Sequence, residues 1–371
     1  MKVLYLTSWV GDYHAPRLIA AQKILSSINI DFYVYQFGSK SNFYFHKQSR
    51  RNSLIEKINF TQYDKIESFS SFVNIFRILN NLQPDCIFSL GYNDKLSLAS
   101  MFWAKFHKKK IYFMSDSKAD DQPRGFLTEV IKSFVIKPYD GALVAGERHK
   151  RYFQSLGFKY PICIGYDVVD NLFFSNQSRR YQKLINRKKI CRYVLCVSRL
   201  VERKKVNIAI DIFYKSGLAS EGYSFLLIGD GPLKESIIEQ LNNIIPDNFI
   251  YFPSIPNHRM PFYYAFAKFL ILTSEYDQWG LCVNEAMACG VPALVTQRCG
   301  VADELVTDDC GIIWREDDSI ENIAYKLRSY CTDDVLYSQL VKNVRRKIGE
   351  WGVDIFAKSL VNLVIGNVEG H

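Results

Sequence analysis

The stretch FLILTSEYDQWGLCVNEAMACGVPALV, residues 269–295, decides the fold of this 371-residue chain. Its first apolar run, Phe269–Leu272, reads as a buried strand that gives way to the polar loop EYDQWGL. The segment VNEAMAC then reads as a helix that stops at Gly290, with Pro292 just beyond, a usual helix ending. A second apolar run, Val291–Val295, follows. Strand, helix, strand in this order predicts a parallel sheet covered on both faces.

The same alternation extends outward. Val3–Thr7, Asp31–Gln36, Cys86–Leu90, Lys110–Met114 and Gly141–Ala145 read as strands in the first half, and Tyr193–Ser198, Ser224–Ile228 and Phe249–Phe252 in the second. The fold class expected is α/β, with two doubly wound, Rossmann-like halves. A chain this long exceeds a comfortable single core, so two domains with a cleft are expected. The polar, basic stretch Ser175–Lys189 (SNQSRRYQKLINRKK) reads as the linker, which places the domains at 1–187 and 188–371. The stretch Val341–Val368 follows a helical, amphipathic pattern through Phe356, Leu360, Leu363 and Ile365, and its last part, about 350–371, is free to pack on either domain.

Composition narrows the class. An apolar share of 48% with 23% charged residues is that of a globular protein and excludes large-scale disorder. The nine cysteines are scattered, with no C-x-x-C pair, which fits a reducing compartment better than a disulfide scaffold or a zinc site. No apolar run reaches the roughly 18 residues that span a bilayer, and the start MKVLYLTSW reads as a strand rather than a signal peptide. A cytoplasmic protein is expected. Residues 1–190 hold 29 Lys+Arg against 15 Asp+Glu, and residues 191–371 hold 18 against 23, so the halves carry +14 and −5 of the net +9. Such a field concentrates an anionic partner: a membrane face, an acidic acceptor or nucleic acid. A basic surface that serves solubility alone is the competing reading.

Ligands of an open parallel sheet sit at the carboxyl ends of its strands, where helix starts attract phosphate. The turn Thr7–Arg17 offers Gly11, Asp12 and His14, or is a plain turn. The turn VSRLVERKKV (197–206) carries Ser198, Arg199 and Lys204, two cations suited to a diphosphate leaving group, or else a solvated basic helix start. The turn FLLIGDGPLKESI (225–237) contains Gly229 but lacks the third glycine and downstream acid of a dinucleotide fingerprint. In the opening stretch, amides near Gly280 and Leu281 face an anion, while Asp277 and Glu285 lie eight residues apart. The two acids fit acceptors from sugar hydroxyls as well as they fit a favourable helix start.

Taken together, SRLVERK, LLIGDGP, FPSIPNHRMPFYYAFAKFLILTSEYDQWGLCVNEAMACGVPALV, GVADELV and CGIIW, over about residues 193–315, resemble the donor domain of retaining glycosyltransferases of GT-B fold, glycosyltransferase family 4. MKVLYLTSW, PDCIFSLGYND and GYDVVDNLFF extend the likeness more weakly into the first half. The resemblance implies two Rossmann-like domains facing across a cleft, the first for the acceptor and the second for a nucleotide-sugar donor. Arg199 and Lys204 then stabilise the departing nucleoside diphosphate, and Glu285 accepts from the ribose. Asp277 stands where the family usually has a glutamate that touches the transferred sugar; the shorter side chain shifts that contact, passes it through water or leaves it to Glu275. Ser198, Gly229 and the amides of Trp279, Gly280 and Leu281 belong to the donor site, and the base lies against Pro253, Ser254 and Ile255.

In the acceptor half the resemblance leaves only Gly11 of a glycine-rich first loop. It puts Asp116, in SDSKADD (115–121), where a histidine is usual; Asp116, Lys118, Asp120, Asp121 and Arg124 otherwise form a surface loop. The implied reaction is metal-independent, retaining transfer of a hexose-type sugar to a glycan or lipid-linked acceptor in cell-surface polysaccharide or lipopolysaccharide synthesis. No cofactor and no nucleic acid are implied. The basic half, with Phe43, Tyr44, Phe45 and Trp103, is then expected to meet an anionic membrane at its inner face. A GT-B-like epimerase or phosphorylase and a non-catalytic nucleotide-sugar-binding protein are the alternatives.

Overall fold

A computed structural model describes residues 1–37, 54–62, 70–92, 94–121, 125–185 and 192–366. The chain forms two units, one of Met1–Val169 with Gly352–His371 and one of Asp170–Trp351. In unit 1 the strands are β1 (Lys2–Thr7), β2 (Asp31–Gln36), β3 (Phe60–Gln62), β4 (Cys86–Leu90), β5 (Lys110–Ser115), β6 (Gly141–Val144) and β7 (Ile162–Ile164), in the spatial order 3-2-1-4-5-6-7. All its pairs are parallel. Val3, Leu4, Ile87, Ile111 and Phe113 are fully buried, because helices cover the central strands on both faces.

Unit 2 repeats the design with β8 (Arg192–Val197), β9 (Tyr223–Ile228), β10 (Phe249–Phe252), β11 (Ala267–Leu272), β12 (Ala293–Thr296) and β13 (Gly311–Trp314), ordered 10-9-8-11-12-13 and wholly parallel. The opening stretch of sequence is β11, the helix Leu281–Ala288 and β12, as its pattern predicts. The winding reverses between β8 and β11, and a reversal of this kind opens a crevice at the strands' carboxyl ends. Three short strands, β3, β7 and β13, go beyond the sequence expectation.

The expected linker is a helix. Asn171–Leu184 is capped by Asp170, which accepts from the Phe173 amide at 3.0 Å, and it buries Phe174 and Ser178. It lies on unit 2 itself: the Tyr181 and Phe262 rings are 5.4 Å apart, and Gln182 Nε2 donates to the Ala265 carbonyl at 2.7 Å. The apolar anchors of this helix sit at its first turn, just before the polar run that suggested a linker. The expected boundary near 188 lies outside the described residues, whereas the first crossing between units falls at Val169–Asp170.

The C-terminal helix Val353–Ile365 packs on unit 1 along the helix His14–Ser27. Tyr112 Oη donates to the Leu363 carbonyl at 2.8 Å, and Gly165, at φ +99°, leaves room for Ile355, which an added Cβ would meet at 3.1 Å. Counted by these units, unit 1 holds 24 Lys+Arg against 16 Asp+Glu and unit 2 holds 23 against 22, or +8 and +1. The charge asymmetry of the two halves shrinks because Arg179, Arg180 and Lys183 lie on the helix of unit 2 and Arg187, Lys188 and Lys189 fall in the same unit. Among the described residues no helix is long and apolar enough to cross a membrane.

Candidate functional site

The switch point of unit 2 gathers the sequence-expected donor residues. β8 ends at Val197, Ser198 follows buried, and Arg199 is exposed on the turn. A short 3-10 turn, Glu202–Lys204, then carries Lys204 toward the end of β11, and Lys205 reverses the chain with φ +47°. Thr273 Oγ1 fixes that reversal by donating to the Lys205 carbonyl at 2.8 Å, and the Glu275 amide donates to the Arg203 carbonyl at 2.8 Å. As a result Lys204 Nζ reaches the Asp277 carboxylate in an ion pair, with both side chains mostly out of water. Ser274 Oγ donates to the same carboxylate oxygen at 3.3 Å. Glu275 is exposed, and its carboxylate lies 3.9 Å from Lys205.

The loop that holds Asp277 is stitched to the next one. The Gly300 amide donates to the Asp277 carbonyl at 3.0 Å and the Val301 amide to the Trp279 carbonyl at 3.2 Å. A Cβ on Gly300 would fall 1.9 Å from the Gln278 oxygen, so only glycine permits this approach. Trp279 is buried; its Nε1 donates to Asn284 Oδ1 at 2.8 Å, and its ring stacks on Trp351 at 5.4 Å with 16° between planes. Gly280, at φ +113°, turns the chain into the helix that starts at Leu281, whose first amides lack carbonyl partners four residues back, the kind of end that attracts anions.

Glu285 lies in the second turn of that helix, 2% exposed. Asn257 Nδ2 donates to its Oε1 at 2.9 Å and Tyr264 Oη to its Oε2 at 2.6 Å, so both oxygens are held in place. Asn257 and Tyr264 are additions to the expected site. Both lie in the quoted run FPSIPNHRMPFYYAF, whose polar side chains show no periodicity that separates a carboxylate clamp from a surface group. Pro253 and Ser254 are exposed and Ile255 half-buried after β10. Gly229 lets β9 pass Ser198: a Cβ there would sit 1.8 Å from the Ser198 oxygen. Cys282 and Cys299 flank Asp277; burial, with the Asp277 charge second, raises both thiols, Cys299 to about 12, which keeps them protonated.

Gly11 and Asp116 belong to unit 1, on the loops after β1 and β5. The Gly11 carbonyl accepts from the amides of His14 and Ala15, both at 3.1 Å, opening the first helix. Burial and the Arg17 guanidinium lower the His14 pKa to about 3, so the ring stays neutral and its Nδ1 accepts from the Gly11 amide at 3.5 Å. Asp116 is half-buried, and its charge is one of those that keep the buried Tyr166 hydroxyl protonated, after burial, Tyr5 and Asp167. The surface-loop alternative for 115–121 is corrected at two positions. Lys118 is fully buried between Asp120 and Asp121, 3.0 Å from each, and Asp121 is buried with it, because an unpaired charge there would be costly. Arg124 lies outside the described residues.

Comparisons with known proteins bear on the family and the fold. Residues 178–347 match the family of glycosyl transferases group 1. The chain is 20% identical over 362 residues to the amylovoran biosynthesis glycosyltransferase AmsD of Erwinia amylovora, covering 96% of this chain and 97% of that one. It is 22% identical over 285 residues to a GDP-mannose-dependent phosphatidylinositol dimannoside mannosyltransferase of Mycobacterium tuberculosis, covering 74% and 72%. Among solved structures, Anabaena Alr3699/HepE in complex with UDP and glucose superposes with a TM-score of 0.74 at 14% identity, over 99% of this chain and 100% of that one. Both units take the Rossmann-like form of GT-B glycosyltransferases, and residues 178–347 resemble the glycosyl transferases group 1 family.

Proposed function

We propose that the chain transfers a hexose-type sugar from a nucleoside diphosphate sugar to a glycan or lipid-linked acceptor, with retention and without a catalytic metal, in the making of a surface polysaccharide or lipopolysaccharide. The observation that carries this reading is Lys204 held against Asp277 at the mouth of the helix Leu281–Ala288. A diphosphate entering there meets an ammonium, the exposed Arg199 guanidinium and the helix amides together. In the reaction the bond between the anomeric carbon and the diphosphate oxygen breaks, and that oxygen keeps the electron pair. Arg199 and Lys204 stabilise the charge that develops on it, the role a divalent ion has in other sugar transferases.

The acceptor oxygen then bonds to the anomeric carbon on the face the diphosphate leaves, and its proton passes to a donor phosphate oxygen. Glu285, braced by Asn257 and Tyr264, accepts from the ribose hydroxyls, and Asp277, released from Lys204, accepts from a sugar hydroxyl. UDP-sugars are the first donors to test, since HepE is described with UDP and glucose. The amylovoran enzyme and the phosphatidylinositol mannosyltransferase support a polymer or lipid-linked acceptor. We place the protein in the cytoplasm, peripheral to an anionic membrane.

The test is turnover by the purified chain across UDP-, GDP- and ADP-sugars. Lys204→Ala should lower kcat/KM by about a hundredfold or more, the effect of removing one charge-stabilising group. If no sugar nucleotide is transferred or slowly hydrolysed, and Lys204→Ala leaves nucleotide binding unchanged, the chain is not a transferase of this kind.

A further inference from the structure

The helix Phe126–Ile136 of unit 1 buries Ile136 at its end but turns a second apolar face outward. Phe126, Leu127, Ile131 and Phe134 are 81%, 75%, 62% and 63% exposed, and Leu127, Ile131 and Phe134 fall at i, i+4 and i+7 on one stripe. Glu129 and Lys132 turn inward. Tyr152, itself buried, donates to Glu129 Oε2 at 2.9 Å and accepts from Lys132 Nζ at 2.8 Å, while Lys132 also meets Glu129 Oε1 at 3.1 Å. This triad fixes the rotation of the helix about its axis, so the apolar stripe faces outward by construction. Water is a poor solvent for four large apolar side chains on one face, and a patch of this kind marks a contact surface.

The surroundings select the partner. The helix ends in exposed Lys137, whose ammonium stands 4.3 Å over the Phe134 ring. The same edge of the sheet, where β5, β6 and β7 begin, carries Lys105, Lys108, Lys109, Lys110 and Lys159 against Asp85 and Asp140, with exposed Phe106 and Tyr160 among them. Protein interfaces shed lysine from their centres. Phenylalanine and leucine rimmed by lysine suit the boundary of an anionic bilayer, where rings enter the acyl region and ammonium groups meet headgroup phosphates.

We infer that this helix, with its lysine rim, docks unit 1 on an anionic lipid bilayer. The inference deepens the membrane reading proposed above and replaces its residues: Trp103 is fully buried with Nε1 donating to Asn80 at 2.7 Å, and Phe43, Tyr44 and Phe45 lie outside the described residues.

Vesicle flotation of the full chain without donor reads docking separately from catalysis, so a chain that floats but does not transfer leaves the docking surface standing. The wild type should float with phosphatidylcholine vesicles containing phosphatidylglycerol, more at low salt than at high, and much less with phosphatidylcholine alone. Leu127→Ser/Ile131→Ser/Phe134→Ser should bind the anionic vesicles about tenfold weaker or less still, since apolar burial sets interfacial affinity. Lys137→Gln/Lys159→Gln should weaken only the anionic binding, by about fivefold or more. These side chains are exposed, so melting temperatures should not change; if the triple variant fails to fold, Phe126→Ser/Phe134→Ser takes its place. Absence of flotation, or flotation that the apolar variants leave intact, overturns the proposal. So does a concentration-dependent dimer of the wild type that the same variants abolish, because the stripe then meets a second copy of the chain.

Discussion

Lys204 and Asp277 neutralise each other, so on the reading proposed above a diphosphate displaces a carboxylate to reach the ammonium. The shorter aspartate keeps its hold because Ser274 and the Gly300 amide fix its side chain and backbone. Asp277→Asn removes the competing charge while keeping the shape. The variant should bind UDP about tenfold tighter by calorimetry, a gain of about 1.4 kcal/mol, and transfer sugar more slowly. Unchanged or weaker UDP binding would show that the pair does not stand in the donor's way. Much of this site is legible in the sequence, because Arg199, Lys204, Asp277 and Glu285 ride on turns and a helix whose order the alternation of strand and helix announces. Asn257 and Tyr264 are not, since their meeting with Glu285 depends on how β10, its following turn and the helix Met260–Phe266 pack, which no local pattern encodes.

At the scale of elements, periodicity tells which face of a helix is apolar but not which face is covered. The helix Phe126–Ile136 has its polar triad inward, and the helix Asn171–Leu184 hides its apolar anchors in one turn ahead of a basic run; both were opaque for that reason. The aromatic stack in unit 2 was equally hidden, as Trp279 and Trp351 are far apart in sequence. Trp351 ends the helix-rich tail of unit 2, and its carbonyl accepts from Asn171 Nδ2 at 3.2 Å, which also donates to the Ile348 carbonyl at 2.7 Å. Trp351 thus reaches the loop of Asp277 through Trp279. Aromatic pairs contribute about 0.5–1.5 kcal/mol beyond their buried area. Trp351→Ala should therefore raise the KM for donor several-fold with a smaller effect on kcat, and Trp351→Phe should restore most of it. Equal losses in the two variants, or a loss of kcat alone, would mean that the stack does not position the loop.

At the scale of the whole molecule, the parallel sheets and their doubly wound order could be read from the recurring apolar runs, and the return of the last helix near residue 350 was among the expectations, whereas the first passage between units at Val169–Asp170 could not be read. A crossing is set by which core a segment completes. Asn171–Leu184 completes unit 2, where Phe174 packs at 6.2 Å from the Tyr264 ring, the same tyrosine that braces Glu285. Val353–Ile365 completes unit 1 by burying Phe356, Ala357 and Leu360. Unit 2 is therefore one continuous segment, and its folding should not require the rest. A fragment of residues 170–351 should unfold in one cooperative transition, followed by the fluorescence of Trp279, Trp314 and Trp351. A fragment of residues 188–371 lacks the helix that covers Tyr264 and carries a second helix whose apolar face has nothing to pack on. Loss of the buried Phe174 contact alone is worth about 1.5–3 kcal/mol, and the exposed face of Val353–Ile365 adds a tendency to aggregate. A 188–371 fragment that melts as sharply and at the same temperature as 170–351 would return the boundary to the basic run where composition first suggested it.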